Sequence, residues 1–154
     1  MAVEELTIEL LQEVTGQILE EAAFVFSEQE ESEWPPGESI FQASIPFTGE
    51  FDGTMTVAAG EAFVSSLAAN LLGLDFGDEA TPSQGKDAIG EILNIVGGAL
   101  LGRWFGSDHT YNMGVPTVIE CDAETHQKTV DGASVWLIML CDEEHRLDIG
   151  VTLS

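Results

Sequence analysis

Positive charge is what this sequence has least of. Four lysines and arginines stand against 28 aspartates and glutamates, which gives a formal net charge of −24. Nucleic acid and anionic membranes are therefore poor partners, since both bind through cationic surface. The acids are scattered along the whole chain, so we interpret them as an adaptation to a salty solvent in preference to a means of guiding a basic partner.

Long apolar runs and a cysteine framework are also missing. No run of about eighteen apolar residues is available to span a bilayer. The acidic segment 1–9 has neither the basic nor the apolar region of a signal peptide. The two cysteines, Cys121 and Cys141, show no disulfide or metal-ligand spacing. We therefore expect a cytoplasmic protein with two reduced, buried thiols and no bound metal ion.

Familiar catalytic patterns are absent as well. His109, His126 and His145 are isolated, without another histidine or a cysteine at metal-ligand spacing, so we expect them on the surface. No Ser-His-Asp or Cys-His pairing stands out, and no Gly-Lys-Ser/Thr loop is present to cradle a phosphate.

The chain is long enough for one domain with its own core, at 154 residues of which 44% are hydrophobic. Hydrophobic periodicity predicts an α/β (α+β) protein in the order helix, two strands, helix, then helix and three strands. Turn-forming residues predict loops at 27–39, 75–85 and 123–133. The predicted helices are 4–24, 60–72 and 84–105, and the predicted strands are 40–48, 51–59, 114–122, 134–141 and 145–153.

The order of elements suggests an internal duplication. Residues 9–19 align without gaps on residues 91–101, with five of eleven positions identical. The identities include Gly16 with Gly98, a residue that is disfavoured inside helices. We predict one domain over 1–154 that contains two repeats, at about 4–73 and 84–153. The alternative is that two amphipathic helices share apolar positions for packing reasons alone.

Three polar residues of the second long helix share one face. Asp87, Glu91 and Asn94 are spaced i, i+4 and i+7, within an arc of roughly 60°. Gly98 follows on the same stripe, where its bare backbone permits close approach by a partner. A glutamate and an asparagine at this spacing are, by themselves, ordinary solvent-facing residues. The opposite face carries the apolar residues that anchor the helix: Ile89, Ile92, Leu93, Val96 and Leu100.

The combination is more specific than its parts. Asp87-x3-Glu91-x2-Asn94, followed by Pro116 before a strand, resembles the signature of the CheC/CheX chemotaxis phosphatases. Twenty-one residues separate Asn94 from Pro116, one fewer than in the family pattern, and a loop absorbs such a difference. The resemblance implies a CheC-like pseudo-duplicated fold, with two long helices and a shorter one packed on a mainly antiparallel sheet.

The resemblance also implies an activity, which is hydrolysis of the phospho-aspartate of a CheY-like response regulator. Glu91 would dock against a regulator lysine, and Asn94 would orient the attacking water, because an amide both donates and accepts hydrogen bonds. Asp87, Gly98 and Pro116 would support partner binding. The chain itself would need no cofactor, since Mg²⁺ would be held by the regulator.

The first long helix offers Glu5, Glu9 and Gln12 at the equivalent positions. Glutamine is one methylene longer than asparagine and would misplace the water by about an ångström, which can cost on the order of a hundredfold in rate. Glu13 and Gln17 also crowd this helix. We interpret it as a vestigial second site, which favours the CheX branch and, with it, a homodimer paired through sheet edges.

Two other interpretations stay open. In the first, the chain is a non-catalytic adaptor that binds a response regulator or a flagellar-switch component. In the second, it is an unrelated acidic domain that carries the motif by chance. An adaptor would leave the lifetime of the phosphate unchanged. Asn94 favours an enzyme, since an adaptor has no need of an amide at that position.

Overall fold

The computed structural model describes residues 5–73, 80–106 and 108–154. Within these ranges no helix is long and apolar enough to cross a bilayer. The helices are α1 (Ile8–Ala23), α2 (Glu61–Leu72), α3 (Pro82–Phe105) and α4 (Ala123–Asp131), and the strands are β1 (Ser27–Gln29), β2 (Ile40–Thr48), β3 (Gly53–Gly60), β4 (Asn112–Met113), β5 (Thr117–Cys121), β6 (Val135–Cys141) and β7 (His145–Leu153). All described strands pair antiparallel in one sheet, in the order β1-β6-β7-β3-β2, and β4 and β5 follow one another along the other edge of β2.

Helices α1, α2 and α3 cover one face of the sheet and enclose the core. Alternate residues of each strand point to this face, as Phe41 and Ala43 do in β2, while Gln42 between them points to the other face. The predicted apolar stripe of α3 is fully buried along its whole length. The predicted α/β architecture of helices on an antiparallel sheet is thus confirmed.

The order of the strands has a two-fold character. Edge strand β1 of the first half pairs with β6 of the second half, and edge strand β5 of the second half pairs with β2 of the first. The strands β3 and β7 pair with one another at the centre. A duplication would generate this exchange of edge strands, and the repeat boundaries at 4–73 and 84–153 stay a prediction.

Capping side chains place the helix starts differently from the sequence prediction. The side chain of Thr7 accepts a hydrogen bond from the Leu10 N–H at 3.1 Å, so α1 begins at Ile8. The prediction of a helix from residue 4 is wrong, and Glu5 lies outside α1.

Helix α3 begins inside the predicted loop 75–85, of which residues 75–79 lie outside the described part. Thr81 accepts a hydrogen bond from the Gln84 N–H at 3.2 Å, and the Gln84 side chain accepts one from the Thr81 N–H at 2.8 Å. This capping box and Pro82 start the helix before residue 84.

The predicted loop 123–133 is wrong, because it contains helix α4. The Asp122 side chain accepts a hydrogen bond from the Thr125 N–H at 2.8 Å and caps this helix. His126 is the one buried residue of α4. The helix has only two apolar residues, Ala123 and Val130, so its sequence is as polar as that of a loop. The predicted strand 114–122 is shorter in the structure, at Thr117–Cys121. The short strands β1 and β4 were not predicted.

The far side of the sheet carries a buried polar cluster centred on Asp148. Its carboxylate accepts two hydrogen bonds from Arg146, at 2.7 and 2.8 Å, and one from the indole N–H of Trp136 at 3.0 Å. His126 Nε2 lies 2.9 Å from the same carboxylate, and His126 Nδ1 lies 2.9 Å from the amide nitrogen of Gln42. The prediction that His126 is a surface residue is therefore wrong.

The acidic connector between β1 and β2 is fastened to this cluster. The Arg146 guanidinium lies 4.3 Å from the centre of the Trp34 ring and donates a hydrogen bond to the Ser32 carbonyl at 2.7 Å. The ring of His126 meets Trp34 edge-on, with 5.4 Å between centroids. Trp34 and the Ser32 carbonyl thus hold the connector 30–39 against this face of the sheet.

The two cysteines are free in the structure. Cys141 is buried, and burial raises the pKa of its thiol to about 12. Cys121 is half-buried, and desolvation raises its pKa as well. The prediction of two buried thiols holds for Cys141 and is wrong for Cys121, which is only partly covered.

Candidate functional site

The three polar residues of the motif lie on one exposed face of α3. Asp87, Glu91 and Asn94 are all exposed, while the residues between them are buried against the sheet and the neighbouring helices. Among the described residues, none forms a hydrogen bond or ion pair with the side chains of these three. Their carboxylate and amide groups are therefore available to another molecule. We call this row of three side chains the polar stripe.

A groove runs alongside the polar stripe. It encloses about 670 Å³ between α3 and the segment 114–118, which leads from β4 into β5. The groove brings Asn94 and Pro116 together, as the sequence motif requires. Its lining residues are Lys86, Asp87, Gly90, Glu91, Asn94, Gly114, Val115, Pro116 and Val118.

The outer wall of this groove exists because of Pro46 in β2. The Pro46 carbonyl accepts a hydrogen bond from the Gly114 N–H at 2.9 Å, so the nitrogen of Pro46, which has no hydrogen, faces the same neighbouring strand. The neighbouring strand is interrupted there, with β4 ending at Met113 and β5 beginning at Thr117. The residues between them leave the sheet and form the wall. The interruption of the strand pairing beside Pro46 thus helps to build the site.

Lys86 provides the positive charge at one end of the groove. Its ammonium group lies 3.7 Å from the carboxylate of Glu120 in β5, and both side chains are about 44% exposed. Such an exposed pair contributes little to stability. With Asp87 and Glu91 beside it, the groove carries an excess of negative charge, so a cationic side chain is the complement it favours.

The glycines of α3 divide into two groups. A Cβ at Gly97 would lie 2.8 Å from Met55 and 3.0 Å from Met113, so Gly97 allows α3 to pack closely on the sheet. A Cβ at Gly98 would meet only the end of Met113 at 3.9 Å, and one at Gly102 would meet nothing within 4 Å. Packing within the chain therefore accounts for Gly97 and leaves Gly98 free for a role in partner binding.

A second cavity borders the polar stripe on its other side, between α2 and α3. It encloses about 370 Å³, and apolar side chains supply most of its surface. Asp87 and Glu91 line this cavity and the groove, so they form a ridge between two depressions. The sequence analysis did not find this cavity, because α2 and α3 are brought together only by the fold. The lining residues are Leu71, Leu72, Gln84, Asp87, Ala88, Glu91 and Ile95.

The equivalent face of α1 is built differently. Glu5 precedes the helix, Glu9 is exposed and Gln12 is half-buried, so these three residues do not form a continuous exposed row. Arg103 of α3 also reaches Glu13 of α1 at 3.4 Å.

A second neighbouring pair crowds α1 further. Gln17 donates a hydrogen bond to Glu21 at 3.0 Å. These interactions occupy polar side chains on α1, whereas the polar stripe of α3 is unoccupied. Among the described residues, no group of three histidine, cysteine or acidic side chains is arranged to hold a metal ion.

Comparison with known proteins places this geometry in a family. The model of the family described as chemotaxis phosphatase CheX matches residues 41–140, which is 100 of the 154 residues. The chain belongs to the CheX family. The matched region contains all of α3, the groove and Pro116, and it excludes α1. No curated protein matches the chain.

Solved structures of CheX proteins share the fold at low sequence identity. CheX of Desulfovibrio desulfuricans has a TM-score of 0.67 and 15% identity, over 95% of this chain and 97% of that one. CheX of Vibrio vulnificus has a TM-score of 0.67 and 17% identity, over 95% of each chain. The CheX-CheY-BeF3-Mg²⁺ complex of Borrelia burgdorferi has a TM-score of 0.69 and 12% identity, over 97% and 99%. At these identities the likeness concerns the fold.

Proposed function

We propose that this CheX-family protein hydrolyses the phospho-aspartate of a CheY-like receiver domain. The observation that carries the proposal is the polar stripe, in which Glu91 and Asn94 are exposed over an open groove without a partner among the described residues. The family description as a chemotaxis phosphatase supports it. The structural relative from Borrelia burgdorferi, which is in complex with CheY, supports the class of partner.

Asn94 carries the chemistry in this proposal. Its amide oxygen accepts a hydrogen bond from a water molecule, and its amide N–H donates to a phosphoryl oxygen, which holds the water in line with the acyl phosphate bond. The water oxygen bonds to phosphorus, the bond from phosphorus to the aspartate oxygen breaks with its electron pair staying on the carboxylate, and one water proton passes to a phosphoryl oxygen. The products are the free carboxylate and inorganic phosphate.

Glu91 serves as the docking residue. One helical turn before Asn94, its carboxylate pairs with a cationic side chain of the receiver domain and fixes the depth to which α3 enters. Asp87 and Pro116 line the same groove and support binding, and Gly98 leaves room for the rim of the receiver site. Mg²⁺ is bound by the receiver domain in this proposal, with no cofactor on the CheX-family chain.

Single-site variants separate these roles. With a phosphorylated CheY-like receiver domain as substrate, Asn94→Ala should lower kcat by about a hundredfold, because the water is no longer oriented. Glu91→Ala should raise KM more than it lowers kcat, because it removes a docking contact. An Asn94→Ala variant with the activity of the wild type would overturn the proposal. Binding that depends on Glu91 without any effect on phosphate lifetime would instead show an adaptor.

One active face per chain fits a homodimer, which we also propose. Within the described residues, β5 pairs only with β2, so the outer edge of its five residues is available to the same edge of a second copy. Such a dimer would work in the cytoplasm, where receiver domains act. Light scattering of the purified protein at micromolar concentration should give twice the chain mass, and a monomer would contradict this part of the proposal.

A further inference from the structure

Two exposed apolar side chains flank the polar stripe, one on each side. Leu72, the last residue of α2, is 53% exposed, and Val115, between β4 and β5, is 81% exposed. Leu72 lines the cavity between α2 and α3, and Val115 lines the groove. Since Asp87 and Glu91 border both depressions, the apolar surfaces are continuous with the proposed docking contact.

Packing among the residues that the structure describes does not explain these two side chains. Neither belongs to the buried core cluster or to the partly buried residues packed against it. Two other exposed aromatic residues have internal roles: Phe51 stacks on Trp104 with 5.4 Å between ring centroids, and the Tyr111 hydroxyl donates to the Gly98 carbonyl at 3.3 Å. Phe24 and Phe26 are also exposed, but they line neither depression. Leu72 and Val115 therefore expose apolar surface at the one place where the proposed function requires a partner.

We propose that Leu72 and Val115 are specificity-determining contacts that pack against apolar side chains on opposite rims of the receiver domain's active site. This inference rests on the proposed function. The cavity beside Leu72 is large enough for one apolar side chain and is lined by Leu71, Ala88 and Ile95. The receiver side chain that enters it would lie next to the cation that pairs with Glu91.

The charge of the chain is a reason for such apolar contacts. A net charge of −24 provides no long-range attraction to a neutral partner and repels an acidic one. Apolar contacts act only at short range and are insensitive to this repulsion. Around the docking contact they also exclude solvent, which strengthens the ion pair of Glu91. Binding of the wild type to an acidic receiver domain should consequently tighten when salt is added.

Serine substitutions test the proposal. Leu72→Ser, Val115→Ser and the double variant are compared with Leu153→Ser, a matched change at a leucine that is 38% exposed in β7 and lines neither depression. The measurements are the Kd for a CheY-like receiver domain activated with beryllium fluoride, the kcat and KM for its phosphorylated form, and the midpoint of thermal unfolding.

The expected result is a rise of about tenfold in Kd and KM for each single variant, the size expected for loss of one buried apolar side chain. The kcat at saturation should change by less than about twofold, and Leu153→Ser should match the wild type. Wild-type Kd and KM in the two single variants and in the double variant would overturn the inference, even while Asn94→Ala lowers kcat by about a hundredfold. A wild type that binds without hydrolysing would contradict the proposed activity alone, and the Kd values would still decide the inference.

Discussion

Two sets of polar side chains in this protein contain the same chemical groups in opposite conditions. On α3, the carboxylate of Glu91 and the amide of Asn94 are exposed, and no described residue satisfies them. On the far side of the sheet, the carboxylate of Asp148 and the amide of Gln42 are buried and share hydrogen bonds with His126. The satisfied set holds the fold, because buried polar groups without partners are costly. The exposed set is available to bind another molecule.

The largest effect on stability is expected for a variant that disrupts the buried set. Asp148→Ala removes the acceptor for Arg146 and for the Trp136 indole, and it should lower the free energy of unfolding by about 3–5 kcal/mol, as when one partner of a buried ion pair is lost. Urea denaturation measures this. Asp87→Ala, a matched change in the polar stripe, should alter stability by less than about 0.5 kcal/mol. Equal losses in the two variants would remove the distinction between the sets.

A second variant removes a side chain of the exposed set. Asn94→Ala should leave the free energy of unfolding within about 0.5 kcal/mol of the wild type while it lowers kcat about a hundredfold. Gln12→Ala, at the equivalent position of α1, should change neither quantity, and dephosphorylation kinetics with urea denaturation report both. A large kinetic effect of Gln12→Ala would show that α1 carries a working site.

The pH dependence of stability provides a further test of the comparison. Burial raises the pKa of Asp148, but hydrogen bonds from Arg146 and His126 and the charge of Arg146 outweigh it, so that the pKa of this carboxyl is below its usual range. A lowered native pKa adds stability above the unfolded value of about 4, and this stability is lost as the pH falls through the native value. The difference in unfolding free energy between the wild type and Asp148→Asn should therefore shrink from pH 7 to pH 3. A constant or growing difference would contradict this.

The last variant is expected to have no effect on activity. Gln12→Asn in an Asn94→Ala background should not restore activity, although it recreates the motif amide on α1. Gln12 is half-buried and Glu5 lies outside the helix, so the row remains incomplete. Restoration of more than about a tenth of wild-type kcat, measured by the same kinetics, would show that α1 needs only the right amide.

Sequence periodicity was sufficient to locate α3 and to separate its two faces, because a long amphipathic helix repeats its pattern over several turns. It failed for Glu5, since the cap at Thr7 makes the helix begin only after that residue, at Ile8. It also failed for the buried cluster: His126 is 84 residues from Gln42 and 22 residues from Asp148, and only the sheet brings them together.

The candidate site shows the same division. The spacing of Asp87, Glu91 and Asn94 is local, and the structure shows them on one exposed face as predicted. The groove wall at Val115 and the cavity at Leu72 depend on contacts between different elements, so no local pattern indicated them. The prediction of two repeats remains a prediction.

Turnover of a phosphorylated CheY-like receiver domain, with this protein at one tenth of the receiver concentration, tests the central claim most directly. We predict that the whole pool loses its phosphate faster than it does alone, since each molecule acts repeatedly, and that Asn94→Ala lowers the acceleration by about a hundredfold. Decay at the spontaneous rate, or acceleration that persists in Asn94→Ala, would contradict the assignment of Asn94 as the residue that orients the water.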